Sequence, residues 1–185
     1  SDHVGEATPA VFLRLLGLKD LIAGGHHHCT DRDVADLLDH IVVDGVGLFF
    51  HLHAVDRVMD AMPGVGLAAP QIGVQLQLAV VDASDRRDRR IRLANPVVIE
   101  ASEILNTHEE ASPNLPGVWA TVKRPRGVSV RFMDETGTYV RRDFVGLEAT
   151  SVQHQIDHLQ GKMYFDRLSK VKRDMLLRRA RKLQG

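Results

Sequence analysis

Cysteine is nearly absent from this sequence. Cys29 stands alone among 185 residues, which excludes an intramolecular disulfide and fits a reducing compartment. Net charge is absent too: 24 Lys and Arg balance 24 Asp and Glu, so no global field selects nucleic acid or an acidic membrane, and only a local patch can do so. No apolar run approaches the roughly 20 residues that span a bilayer. The opening SDHVGEATPA lacks the basic and apolar regions of a signal peptide. These absences predict a cytoplasmic protein with no membrane partner, or an organellar one whose targeting segment has been removed. Internal repeats and low-complexity segments are missing as well. What is present, 44% hydrophobic and 26% charged residues over one domain's length, suits a chain that buries a core.

The hydrophobic period divides the chain. DRDVADLLDHIVV (31–43) and GLFFHLHAVDRVMDAM (47–62) have helical spacing; Thr30 or Asp31 can cap the first, and Pro63-Gly64 stops the second. From residue 74 the period shortens. VQLQLAVVDAS (74–84), IRLANPVVIEAS (91–102) and GVSVRFMDETGTYVRRDFVG (127–146) alternate apolar and polar residues, and Asp134-Glu135-Thr136-Gly137 reads as a hairpin turn. Helical spacing returns over 147–161 and 169–184. Helix, several antiparallel strands, then a helix carrying two histidines predict an α+β domain.

His154 and His158 are four apart, so on a helix they share one face and can bind one metal. On that spacing alone, two solvated or hydrogen-bonded histidines are the commoner outcome. The surrounding segments add to the signal: GVGLAAPQ (64–71), EASPNLPGV (110–118) and QHQIDHLQG (153–161) occur in that order, with Asn95-Pro96 and MYFDRLS (163–169). Together they resemble the peptide deformylase family. The resemblance covers 59–185 and leaves 1–58 as a diverged, mainly helical segment of the same domain. It implies antiparallel strands around a central His-x-x-x-His helix, plus a C-terminal helix. The implied activity is metal-dependent hydrolysis of the formyl group from N-formylmethionyl peptides, with Fe(II) or Zn(II) as cofactor.

Three departures from the family pattern fall on three separate functions. The family holds its metal with two His and one Cys; the matching positions here are His154, His158 and Ser112. A hydroxyl is neutral near pH 7 and ligates poorly beside a soft thiolate, so metal binding is expected to be weak or absent. Cys29 lies outside the matched region. The family's glutamate base is Gln155, whose amide has no usable pKa. The residue after the Cys normally lends its backbone N–H to the oxyanion together with a glutamine, here Gln71; that residue is Pro113, which has no N–H. Gly66 either keeps a ligand-binding backbone or only permits close approach.

Register with the family places Val65, His108, Leu147, Thr150 and Ser151 around the methionine pocket, three of them polar, and Trp119 where an arginine usually stands. Arg124 and Asp157 are expected to pair and hold the helix to the sheet. GGHHHC (24–29) admits metal binding or an ordinary surface loop; His51 and His53 read as surface or core-edge histidines. The basic helix SKVKRDMLLRRARKLQ is either a solvated face or a ribosome-docking element, as the resemblance implies. RLLGLKDLIAGG (14–25) is at best a distant echo of the family's opening, and the N-terminal segment could cover the cleft or form a homodimer. The functional expectation is therefore a deformylase-family protein strongly impaired in the family reaction. Alternatives are a redirected enzyme acting on another N-acyl or amide substrate, and a non-catalytic protein that binds an N-acyl peptide-like ligand.

Overall fold

The computed structural model describes residues 45–62 and 64–184. The helix expected over 31–43, the GGHHHC run and Cys29 lie outside these residues. The element order is α1 (Gly45–Asp60), β1 (Gly66–Ala68), a 3-10 turn (Ala69–Ile72), β2 (Leu78–Val81), β3 (Ile91–Ala101), β4 (Leu105–Ala111), β5 (Trp119–Pro125), β6 (Gly127–Met133), β7 (Tyr139–Val145), α2 (Gly146–Leu159), a second 3-10 turn (Tyr164–Arg167) and α3 (Lys170–Gln184). Five antiparallel strands form one sheet in the order β1-β2-β3-β6-β7, and β4 pairs with β5 separately. The α+β expectation holds, with α2 at the centre.

Burial explains that central place. Ala149 to Leu159 are buried without interruption, as expected of a helix covered on all sides. Ala149, Val152, Ile156 and Leu159 recur at helical spacing and pack on Val81, Leu93, Val130 and Phe144 of the large sheet. The intervening Gln153, His154 and Asp157 turn to the β4–β5 hairpin, where they bond Pro125, Glu110 and Arg124. α1 buries Leu52, Val55, Val58 and Met59 against Leu67, Leu78 and Val80. α3 packs Leu176 and Ala180 on Val118, Val122 and Tyr164. The Asp134 carboxylate accepts from Thr136 and Thr138, and Gly137 takes φ 81°, so the expected β6–β7 turn forms.

The resemblance implies strands over 64–71 and 110–118 beside the histidine helix, and periodicity implies one over 74–84; each is shorter in the structure. Within 64–71 only Gly66–Ala68 is a strand, because Pro70 cannot donate to a ladder and opens the 3-10 turn. Within 74–84 the strand shrinks to Leu78–Val81. Within 110–118 the strand ends at Ala111; Pro113, Pro116 and Gly117 with φ 79° carry a loop to β5. The motif segments therefore mark the ends of strands, where side chains turn toward α2.

Candidate functional site

The two histidines meet as their spacing requires. His154 Nε2 and His158 Nε2 are 3.0 Å apart, and Ser112 Oγ lies 3.4 Å from His158 Nε2. All three residues are buried. His154 Nδ1 donates to Glu110 Oε2 at 2.7 Å, which orients its Nε2 toward the centre in the manner of a carboxylate behind a metal-ligating imidazole. Two facing imidazole nitrogens at that distance must share a proton or a cation. Burial, and then the neighbouring His154, push the His158 imidazole down to about 3, so it is neutral and a weak base.

Glu110 is the hub of a buried ion network. Arg124, only 1% exposed, gives Glu110 two hydrogen bonds at 2.6 and 2.8 Å and reaches Asp157 at 2.7 Å with its third nitrogen. Arg167 then holds both Asp157 oxygens at 2.6 Å. Burial alone would raise the Glu110 carboxyl, but hydrogen bonds from Arg124 and His154 outweigh it and hold it at about 2. Burial opposes ionisation of Asp157 too, and its hydrogen bond from Arg167 with the Arg124 charge carries it below the usual range. The expected Arg124–Asp157 pair is present; Glu110 and Arg167 are the partners that sequence reasoning missed. Tyr164 closes this side, its ring stacked on His154 at 6.2 Å and its hydroxyl donating to Val118 O.

On the opposite side the surroundings of the histidines are neutral. The Gln71 side-chain oxygen accepts from the Ala68 N–H at 2.8 Å, and its Nε2 bonds Asn114 Oδ1 at 3.0 Å and Ser112 Oγ at 3.3 Å. Gln155 is 4% exposed, and its Oε1 is buried without a hydrogen-bond partner. A Cβ on Gly66 would come within 2.8 Å of Gln155 Nε2 and of Ser151 Oγ. Gly66 is therefore required for close approach of β1 to α2. Among the described residues, no group of three or more His, Cys, Asp or Glu is placed to hold a metal ion. Two converging imidazoles would suit one, but the third donor is a neutral hydroxyl, so the set does not fit a tightly held catalytic metal.

The residues expected at the pocket divide. Ser151 Oγ donates to Val65 O at 3.1 Å, and Thr150 Oγ1 to Gly146 O at 3.2 Å. Both hydroxyls are thus satisfied by backbone, and they make the region less polar than their identities suggest. Val65 and Leu147 are exposed, while His108 is half-buried on β4 with its Nε2 unpartnered. Trp119, at the start of β5, carries the Arg179 guanidinium of α3 over its ring at 5.1 Å. Asn114, which no motif singled out, reaches the centre through Gln71. Farther out, Arg87 takes a positive φ of 54° and donates to the carbonyls of Met59, Met62 and Gly64. It caps α1 and fixes the entry to β1, and sequence spacing gave no sign of it.

Known proteins match this arrangement. A family profile described as polypeptide deformylase matches residues 51–174. A peptide deformylase of Hydrogenovibrio crunogenus is 40% identical over 135 residues, spanning 69% of this chain and 79% of the relative. One of Rhizobium meliloti is 41% identical over 127 residues, spanning 68% and 72%. The solved peptide deformylase of Thermus thermophilus superposes with a TM-score of 0.69 at 35% identity, covering 76% of this chain and 83% of its own. With the α2 histidines, the motif order and the sheet in place, the chain belongs to the polypeptide deformylase family.

Proposed function

We propose that this protein retains a cleft for N-acyl peptides but is strongly impaired in hydrolysing the formyl group of N-formylmethionyl peptides. The observation that carries this reading is the neutral Gln155 and Ser112 at the His154–His158 pair, with no group of three or more His, Cys, Asp or Glu placed to hold a metal ion among the described residues. Glu110 cannot serve as the base: it lies behind His154, and both its oxygens are committed to Arg124 or His154. Loss of a general base costs about 10²–10⁴-fold and loss of one oxyanion donor about 10²–10³-fold. Such losses need not multiply, since they act on one transition state. Any Fe(II) or Zn(II) would be held weakly by His154 and His158.

The direct test is steady-state hydrolysis of formyl-Met-Ala-Ser, with and without added iron or zinc. Turnover several orders of magnitude below a family member is expected; an ordinary deformylase rate would overturn the reading. Concurrent Ser112→Cys, Pro113→Leu and Gln155→Glu should give measurable turnover, whereas Gln155→Glu alone should recover little.

The proposed partner beyond the peptide is the ribosome, in the cytoplasm or an organelle. Lys170, Lys172, Arg173, Arg178, Arg179, Arg181 and Lys182 on α3 face one acidic residue of that helix, Asp174, and such a run attracts a phosphate backbone. Among the described residues, no helix is long and apolar enough to cross a membrane.

A further inference from the structure

We infer that Asn114 is a built-in competitor for the carbonyl-binding donor of this cleft, its carboxamide oxygen taking the hydrogen bond that Gln71 would give to the acyl oxygen of a bound peptide. The inference rests on the proposed N-acyl-peptide cleft. Its geometry is independent of any metal. The Gln71 amide cannot rotate freely, because its Oε1 is fixed by the Ala68 N–H at 2.8 Å. Its Nε2 then has two hydrogens to give, and two acceptors stand in reach: Asn114 Oδ1 at 3.0 Å and Ser112 Oγ at 3.3 Å. Both are used within the chain.

The chain also aims Asn114 at this point. Its backbone N–H approaches Ser112 Oγ at 3.4 Å, and its Oδ1 lies 3.3 Å from the same oxygen, so residues 112–114 fold back on themselves. A side-chain carboxamide presents the same trigonal carbonyl as a formamide. Proline at 113 removes the neighbouring backbone donor, so a ligand oxygen has no alternative at that residue. Gln71 and Ser112 are buried, whereas Asn114 is exposed. The asparagine therefore reaches in from solvent and can swing out without opening the core. An acyl ligand must displace it, which weakens binding by roughly 3- to 10-fold, the worth of one net neutral hydrogen bond.

Calorimetric titration of the full chain with formyl-Met-Ala-Ser tests this. Asn114→Ala is expected to bind roughly 3- to 10-fold more tightly, and adding Gln71→Ala is expected to abolish the gain. Asn114→Asp, a stronger acceptor of the same shape, is expected to weaken binding. Equal affinity of the parent and Asn114→Ala, or a gain that survives loss of Gln71, overturns the inference. A second readout needs no ligand: hydrogen exchange of the Gln71 side-chain amide by NMR should accelerate in Asn114→Ala, and unchanged exchange overturns the inference. Should neither protein bind the peptide, the N-acyl cleft itself fails, and the exchange measurement still decides the role of Asn114.

Discussion

Replacing Arg124 with methionine isolates what the buried ion network contributes to stability. Methionine retains much of the apolar stem and removes three hydrogen bonds, two to Glu110 and one to Asp157. Asp157 keeps both bonds from Arg167. Glu110 keeps only His154, and so becomes a buried carboxylate that has lost its guanidinium. Breaking a buried pair from one side costs about 3–5 kcal/mol. The titration of Glu110 supplies a second figure: a carboxyl held at about 2 in the fold against an ordinary 4.5 corresponds to about 3 kcal/mol. Because the folded value is depressed, this stabilisation is complete above pH 4.5 and is lost as pH falls from 4.5 toward 2. Urea denaturation followed by far-UV circular dichroism should therefore show Arg124→Met losing about 3 kcal/mol at pH 7. The gap should narrow below pH 4.5, where Glu110 of the variant, no longer held down by the guanidinium, is protonated in the folded and unfolded chain alike. A loss under about 1 kcal/mol at pH 7, the range of an exposed pair, or an equal loss at pH 7 and pH 3, would refute the reasoning. Arg124→Lys should rescue only part, since an ammonium cannot reproduce the planar fork.

Ser112→Cys should raise zinc retention after chelator dialysis, measured by elemental analysis, because a thiolate joins the two imidazoles; unchanged metal content would show that residue 112 does not face them. Gly66→Ala should destabilise by about 1–3 kcal/mol in thermal denaturation, since its Cβ meets Ser151 Oγ, itself tied to Val65 O. Tyr164→Phe should cost about 1–3 kcal/mol by leaving Val118 O buried and unpaired, with peptide binding unaltered in the same calorimetric assay.

Much of this arrangement is legible in the order of residues alone. Two histidines four apart within a run of eleven buried residues can only share a face, because the helical repeat is local. The alternation of 127–133 and 139–145 around Asp134 and Gly137 is equally local, and the hairpin follows it. The identities Ser112, Pro113 and Gln155 state their chemical deficits outright: a hydroxyl is no thiolate, an amide is no base, and proline has no N–H. Other features depend on what the fold brings across long separations. Alternation over 74–84, and the family motif over 64–71, overstated the strands, because pairing on the sheet and the placement of Pro70 decide where a ladder ends.

Thr150 and Ser151 look polar in the sequence, yet backbone carbonyls absorb both hydroxyls. Arg124 joins Glu110 and Asp157 from positions 14 and 33 residues away, and Gln71 finds Asn114 43 residues on. The chain alone thus determined the described helices, the hairpin and the functional-group deficits of Ser112, Pro113 and Gln155, since each follows from short-range geometry or from functional-group chemistry. Only the tertiary structure decided which carboxylate backs His154, what satisfies each buried donor, and that Asn114 occupies Gln71, because hydrogen-bond partners in a core are chosen by packing across the chain and not by spacing along it.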